Sequence, residues 1–214
     1  MRDIPLFTTE NGVASLLFKK IPYTKEAFVH IRDSRSCKEL VKECCDICRM
    51  AGAEDIYATG HDDLTAYPEH CAVVRYKAVV ESFPVTEAIA VPISLEQMTW
   101  WRQVYNQKMV HVPSAAPLSD SDAGRLISEN KAYCIYKACS AIGIGVAYDG
   151  EIQAVASVAP GCGRDCVIAL TKCLNSSEVS LSVASTNLKA INLYKRLGFK
   201  ETETEAVWYK IFNC

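Results

Sequence analysis

The segment VASTNLKAINLYKRLGF, residues 183–199, combines the end of an apolar strand, a polar turn and a short helix. Asn187 suits the helix N-cap, because its side chain can accept a backbone N–H. Gly198 suits the left-handed residue that commonly ends a helix. Tyr194 and Leu197 are three residues apart and therefore share one helix face. The segment predicts a strand–turn–helix unit whose tyrosine either packs against a sheet or serves chemistry.

Composition sets the class of protein. The chain has 214 residues, is 50% hydrophobic and carries a formal net charge of −2, so it can bury a sizeable core. It has no basic stripe, which argues against a nucleic-acid partner. It has no apolar run of membrane-spanning length and no signal-peptide pattern in MRDIPLFTTENG. We therefore expect a cytoplasmic protein with no nucleic-acid partner and no membrane partner.

The eleven cysteines are expected to be reduced thiols that mostly fill the core, as in other chains without a secretion signal. A zinc site could be drawn from the CxxC pair Cys45 and Cys48 together with His61, His70 and Cys71. The second group lacks a standard ligand spacing, so packing is the favoured interpretation and no metal is expected.

Hydrophobic periodicity and turn signals predict ββαββ for the first part of the chain: strands at 12–20, 27–32, 55–59 and 71–80, and a helix at 36–51. The second part reads βααβββαβαββ. Its strands lie at 88–93, 133–137, 142–148, 152–158, 179–184, 199–204 and 207–212, with helices starting at Ser94, Ser119, Arg164 and Asn187. Asp149-Gly150 predicts a two-residue hairpin. An α+β fold with a mixed sheet is expected.

The pattern Val183-x3-Asn187-x2-Ala190-x3-Tyr194-x2-Leu197-Gly198-Phe199, set between two strands, resembles the signature segment of the GNAT superfamily of acyl-CoA-dependent N-acyltransferases. The resemblance covers residues 87–212 and implies a GNAT-like domain at 86–214. Residues 1–85 would be a partial α/β module packed on it. That module is either a truncated copy of the same fold, as a faint echo of LSVASTN in DIYATGH hints, or an unrelated α/β element.

The resemblance implies transfer of an acyl group, with acetyl expected, from acetyl-CoA to a small-molecule or peptide amine. Acyl-CoA would lie where the strands at 152–158 and 179–184 splay apart. Tyr194 would protonate the CoA thiolate, and Asn187 would hold the cofactor arm. A homodimer is compatible with the sequence. The alternative from another class is a non-catalytic acyl-CoA-binding or partner-binding module on the same fold.

A glycine-containing turn between a strand and a helix gives the expected pyrophosphate site. The family pattern here is Gln/Arg-x-x-Gly-x-Gly/Ala, from which this chain departs at Pro160 and at Asp165, whose charge should oppose a phosphate. The cofactor-binding residues that the resemblance implies in this loop are Val158, Gly161, Cys162, Gly163, Arg164, Asp165 and Cys166.

The assignments of the general base and of the acceptor pocket depend only on where the residues lie in the predicted elements. Glu151 begins the relevant strand and is the preferred base, with Asp149, Glu129 and His111 as alternatives, and for each a solvated surface side chain is the plainer interpretation. The acceptor pocket is expected from the first helix of the domain, the loop after it and the following strand. Its predicted side chains are Trp101, Tyr105, His111 and Tyr133, although aromatic residues at helical spacing also suit a core.

Overall fold

A computed structural model describes residues 2–113 and 115–212. Its contacts group the described residues into two units, one from residues 2–73 and 204–212 and the other from residues 74–113 and 115–203. Two strands, β5 (Glu69–Val79) and β11 (Lys200–Lys210), contribute residues to both units. The expected packing of residues 1–85 on the rest of the chain stays a prediction.

The first unit contains strands β1 (Ile4–Thr9), β2 (Gly12–Leu17), β3 (Glu26–Ser34) and β4 (Asp55–Thr59), in the order β1-β2-β3-β4-β11. Its helices are α1 (Ile21–Thr24), α2 (Cys37–Met50) and a 3-10 turn at Asp62–Ala66. β3 and β4 are parallel and form five register pairs. The sequence analysis missed β1 and α1, which are short and lack a clear period.

Helix α2 explains much of the cysteine content. Cys44, Cys45 and Cys48 are fully buried in the core of the first unit, where they pack beside Leu40 and Val41. Burial raises the pKa of Cys44 to about 12, so that thiol stays protonated. The prediction that these cysteines fill the core is confirmed, and the CxxC pair is a packing feature.

The second unit contains β6 (Ile89–Pro92), β7 (Ala132–Lys137), β8 (Ser140–Tyr148), β9 (Glu151–Ser157) and β10 (Glu178–Ala184), in the order β5-β10-β9-β8-β7-β6. Its helices are α3 (Met98–Met109), α4 (Asp120–Ser128), α5 (Gly163–Thr171) and α6 (Leu188–Arg196), with 3-10 turns at Val80–Ser82 and Leu95–Gln97. Parallel and antiparallel pairs occur together, which confirms the mixed α+β class.

One element differs from expectation at the end of the chain. The two strands expected at 199–204 and 207–212 are the single strand β11. The intervening Glu205-Ala206 carries none of the residues that fix a turn, so the strand continues from its polar, exposed first half into its apolar second half.

The turn chemistry is as the sequence predicts. The Asn187 side chain accepts a hydrogen bond from the Ala190 N–H at 3.3 Å, which caps α6. Gly198 has φ +93°, the left-handed conformation expected where that helix ends. Asp149 and Gly150 have φ values of 51° and 75°, which fits the two-residue hairpin between β8 and β9.

Helix α5 packs directly on two glycines of β8. A Cβ at Gly143 would lie 2.4 Å from Cys166 Sγ, and a Cβ at Gly145 would lie 2.3 Å from Leu170 Cδ1. Only a residue without a side chain allows this approach, so the glycine pair fixes how α5 lies against the sheet. Among the described residues, the helices are too short or too polar to cross a membrane.

Candidate functional site

A β-bulge in β9 separates it from β10. The antiparallel register between β8 and β9 runs Val146–Ala154 and then Ala147–Ile152, so Gln153 is an extra residue without a partner in β8. A bulge bends its strand and increases the local twist. The parallel pairing of β9 with β10 ends at Ile152 in the described structure, after two register pairs. The bulge therefore accounts for the separation of the two strands at that point.

The separation leaves a polar edge inside the unit. Residues 154–157 of β9 are half-buried, although their other edge stays paired to β8. On β10, Ser182 is the first residue beyond the last register pair. Its Oγ is buried and has no hydrogen-bond partner in the described part of the chain. Unpaired backbone groups and an orphan hydroxyl suit a ligand rich in amide groups.

Helix α5 begins at the carboxyl end of β9. The helix has no side-chain N-cap bond at Cys162, so no side chain at that position competes with an anion for the first N–H groups. Gly161 has φ +77° and no atom within 4 Å of a would-be Cβ, which leaves room for a ligand to approach the backbone. Gly163 lies against Leu193 of α6, because a Cβ at position 163 would be 3.3 Å from Leu193 Cδ2. This contact joins the start of α5 to the helix that carries Tyr194.

Asp165 does not face this loop as an uncompensated charge. Its carboxylate accepts hydrogen bonds from Lys137 Nζ at 2.7 Å and from Thr86 Oγ1 at 2.8 Å. The hydrogen bond from Lys137, followed by that from Thr86, lowers the pKa of Asp165. Lys137 of β7 neutralises the charge, and Lys137 and Thr86, which precedes β6, hold the carboxylate in place. Asp165 is therefore no longer an objection to phosphate binding in this loop.

The other loop residues have different surroundings. Val158 donates its N–H to the Ile142 carbonyl at 2.9 Å, so it is engaged with β8. Arg164 is exposed at the second position of α5. Cys162 is half-buried and Cys166 is fully buried, and desolvation first, then the neighbouring Cys162, raises the pKa of Cys166 to about 12. A thiol of this kind packs and does not act as a nucleophile.

Tyr194 is buried, with 8% of its surface exposed. Its ring lies 5.7 Å from the ring of Phe199, measured between centroids. Its hydroxyl has no assigned hydrogen bond to any described residue. Desolvation raises the pKa of Tyr194 to about 12, so the phenol keeps its proton at neutral pH. The arrangement provides a neutral O–H donor that the protein itself does not consume.

The base candidates lie at the opposite end of β9 from α5, or outside the strand. Glu151 is the first residue of β9, and its Oε2 lies 3.5 Å from a guanidinium nitrogen of Arg75. Arg75 also lies 3.6 Å from Glu203. Glu129 forms an exposed ion pair with Lys131 at 2.6 Å, which fits the solvated interpretation. Glu151 thus has a neighbour that can orient it.

The aromatic residues expected in the acceptor pocket are mostly core. Trp101 is fully buried, donates its indole N–H to the Tyr133 carbonyl at 3.0 Å and stacks on Tyr105 with ring centroids 5.5 Å apart. Tyr105 and Tyr133 are each 8% exposed. These positions favour packing over contact with an acceptor. His111 is exposed, close after α3, and its role as an acceptor contact stays a prediction.

Sequence reasoning missed Gln153, Ser182 and the two partners of Asp165. No local signal marks Gln153, because a bulge depends on the register of the neighbouring strand. Lys137 and Thr86 are far from Asp165 in the sequence, so their pairing is a consequence of the fold.

No protein-family model matches the chain, and no curated protein sequence is significantly similar to it. Solved structures are similar in fold. A GCN5-related N-acetyltransferase from Sphaerobacter thermophilus aligns with TM-score 0.59 and 12% identity over 93% of this chain and 76% of its own. A GNAT-family acetyltransferase from Colwellia psychrerythraea aligns with TM-score 0.52 and 11% identity over 97% of this chain and 84% of its own.

A tandem GNAT protein from the clavulanic acid biosynthesis pathway aligns with TM-score 0.53 and 12% identity, over 94% of this chain and 78% of its own. In each case the alignment covers nearly the whole of this chain. At these identities the likeness establishes architecture. The chain therefore has the fold of the GNAT superfamily, as its signature segment predicts.

Proposed function

We propose that this protein is an acyl-CoA-dependent N-acyltransferase that transfers an acetyl group to an amine. The observation that carries the proposal is the bulge at Gln153, which ends the β9–β10 ladder at Ile152 and leaves a polar edge beside it. The GNAT fold supports the same conclusion. The acceptor is a small-molecule or peptide amine, and residues 1–85 form a module packed on the acyltransferase domain.

Each part of acyl-CoA has a chemical counterpart in the second unit. The amide-rich pantetheine arm would pair with the free edge of β9 and with Ser182 Oγ. The pyrophosphate would be bound by the N–H groups that begin α5, where the helix dipole favours an anion. Arg164 would add a positive charge there, and Lys137 keeps Asp165 from opposing it.

The chemistry needs two proton transfers. The amine loses a proton before it attacks the thioester carbonyl, and the departing thiolate gains one. We assign the first transfer to Glu151, oriented by Arg75, and the second to Tyr194. A phenol with a pKa of about 12 is a weaker acid than a free thiol, whose pKa is about 8.5. The transfer is therefore favourable only where the thiolate forms in the same desolvated surroundings, which raise the thiol pKa as well.

A non-catalytic acyl-CoA-binding module is the second candidate. The aromatic residues expected around an acceptor are buried, and Trp101 is not open to a substrate. This burial favours the non-catalytic module. The two functions differ in a direct measurement, because only the enzyme releases free CoA from acetyl-CoA when a panel of amines is supplied.

Deletion of Gln153 tests the proposed binding site. The deletion makes Ile152 and Ala154 consecutive while both keep their partners Ala147 and Val146 in β8, so the antiparallel register survives. Without the bulge, β9 can continue its pairing with β10 and close the opening. Gln153→Ala is the matched control, since it removes the side chain and keeps the extra residue.

Calorimetry with acetyl-CoA should give saturable binding to the wild type and to Gln153→Ala, and no binding to a folded deletion variant. Wild-type affinity in the deletion variant would overturn the site. Loss of affinity in Gln153→Ala alone would show that the amide side chain matters and the bulge does not.

A further inference from the structure

A second chemical cluster lies in the first unit, at the carboxyl ends of its parallel strands. Cys37 is the first residue of α2, which follows β3, and His61 lies two residues after the end of β4. Asp63 follows in the 3-10 turn Asp62–Ala66. Ligands of open α/β sheets bind at this edge of parallel strands. The fold thus brings Cys37 together with His61 and Asp63 of a later loop, and the proposed acyl transfer uses none of the three.

The three side chains converge on one point. One ligand atom from each, a thiol sulfur, an imidazole nitrogen and a carboxylate oxygen, lies within 4.8 Å of the other two. His61 Nδ1 lies 3.7 Å from Asp63 Oδ2 and accepts a hydrogen bond from the Asp63 N–H at 3.2 Å. Because the Asp63 N–H occupies the lone pair of Nδ1, a metal ion bound at Nδ1 would take the place of that hydrogen bond.

The donor set selects the ligand. A thiolate, an imidazole and a carboxylate together suit zinc, whereas magnesium and calcium prefer oxygen donors alone. We propose that Cys37, His61 and Asp63 form a zinc site with three protein ligands and an open fourth position. This inference is independent of the acyltransferase proposal, because it concerns other residues in the other unit.

The geometry allows closure around an ion. Zinc lies about 2.0–2.3 Å from such ligands, which places tetrahedral ligand atoms roughly 3.5 Å apart. Cys37 is held in the core at 5% exposure. The side chains of His61 and Asp63 are 31% and 73% exposed, so they can move inward by the remaining distance. The site would therefore be anchored by the buried sulfur and completed by the loop.

The same thiol is a poor nucleophile. Desolvation first, and then the charge of Asp63, raises the pKa of Cys37, which opposes a free thiolate. A bound zinc ion would displace that proton itself. Among the described residues, the CxxC cysteines Cys45 and Cys48 do not gather with other metal-ligating atoms as these three residues do.

The full-length chain, reduced and treated with a chelator, should be titrated with Zn²⁺ against a competing chromophoric chelator, and separately with Co²⁺. We expect one tight equivalent of Zn²⁺ and a thiolate-to-cobalt charge-transfer band in the near ultraviolet. Loss of a residue that hydrogen-bonds to a metal ligand typically lowers the affinity for the metal by about 10- to 100-fold. Cys37→Ser and His61→Ala, which remove a ligand itself, should each weaken Zn²⁺ binding by at least about 100-fold.

Asp63→Ala should weaken binding less, because its carboxylate is the most exposed of the three ligands. Two cysteine variants serve as controls. Cys139→Ser removes an exposed thiol of the second unit, and Cys71→Ser removes a buried thiol of the first unit, which contains the proposed site. Both variants should bind Zn²⁺ as the wild type does. His61→Ala changes only the surface loop, so it tests the site if Cys37→Ser fails to fold. Wild-type affinity in His61→Ala, or a cobalt band that survives in folded Cys37→Ser, would overturn the proposal.

Discussion

Ile152 of β9 and Leu181 of β10 form the last register pair of their parallel ladder, and the next residue of β9, Gln153, is a bulge. One extra residue thus ends the pairing of two strands that are otherwise neighbours. In the first unit, β3 and β4 have no such interruption and pair over five residues, from Glu26–Asp55 to His30–Thr59. An opening suited to acyl-CoA is therefore expected in the second unit.

Replacement of Tyr194 by Phe tests the general acid. The change removes the hydroxyl and keeps the ring against Phe199, and the hydroxyl has no assigned hydrogen bond to lose, so stability should change little. Once an amine acceptor is known, kcat should fall by about 100-fold or more while KM for acetyl-CoA stays nearly constant. Tyr23→Phe, at an exposed tyrosine of the first unit, should have wild-type kinetics. A wild-type kcat for Tyr194→Phe would remove the acid role.

Stability at alkaline pH should depend on Tyr194. Desolvation raises its pKa from 10.0 to about 12, so the folded state favours the neutral phenol. The contribution of the neutral phenol to the free energy of unfolding is complete below pH 10. It is lost as the pH rises from 10 to about 12, and the loss is about 3 kcal/mol at most. Urea unfolding across this range should show a shallower loss for Tyr194→Phe than for the wild type. Parallel curves would mean that the phenol is not desolvated.

The pairing of Asp165 with Lys137 should stabilise the start of α5. Asp165→Asn should lower the melting temperature at pH 7, because it weakens the hydrogen bonds to Lys137 and Thr86. The pKa of Asp165 is lowered from 3.8, so its contribution is present above that pH and is lost as the pH falls through the folded value. The difference between the two proteins should shrink over that acidic range.

The double variant Asp165→Asn/Lys137→Met supplies the control for this pair. Its loss of stability should be smaller than the sum of the two single losses, because each single change removes the same interaction. Strict additivity would show that the carboxylate and the ammonium act separately.

Gly145→Ala should destabilise the protein through the contact between β8 and α5. The added Cβ would lie 2.3 Å from Leu170 Cδ1, and overpacking of this kind costs about 1–3 kcal/mol. Gly124→Ala is a matched control inside helix α4, where the nearest atom is Met98 Sδ at 3.8 Å, and it should stabilise by about 0.5–1 kcal/mol. Chemical unfolding measures both, and equal effects at the two glycines would contradict the packing described.

Local signals were sufficient for much of the fold. The caps at Asn187 and Ser119, the left-handed Gly198 and the hairpin at Asp149-Gly150 are as predicted, because each depends on residues close in sequence. The end of the chain was mispredicted as two strands, because the length of β11 depends on the strands beside it and no turn residue interrupts it.

The candidate site was less accessible to sequence reasoning. Tyr194 could be identified from its spacing, but the bulge at Gln153 is a matter of register between strands and has no composition of its own. The sequence predicts that Asp165 opposes a phosphate, because its partner Lys137 is distant in the sequence. Helical spacing does not distinguish a core face from a cleft, so the spacing that predicts a pocket role for Trp101 also fits its buried position.

Hydrogen–deuterium exchange of the full chain, with and without saturating acetyl-CoA, tests the central claim most directly. The account predicts slower exchange in peptides that cover residues 153–158, on the free edge of β9, and residues 161–166, at the start of α5, because their N–H groups would bind the ligand. Exchange in the β3–β4 region should be unchanged. Identical exchange of residues 153–166 at millimolar acetyl-CoA, or protection confined to other segments, would contradict the account.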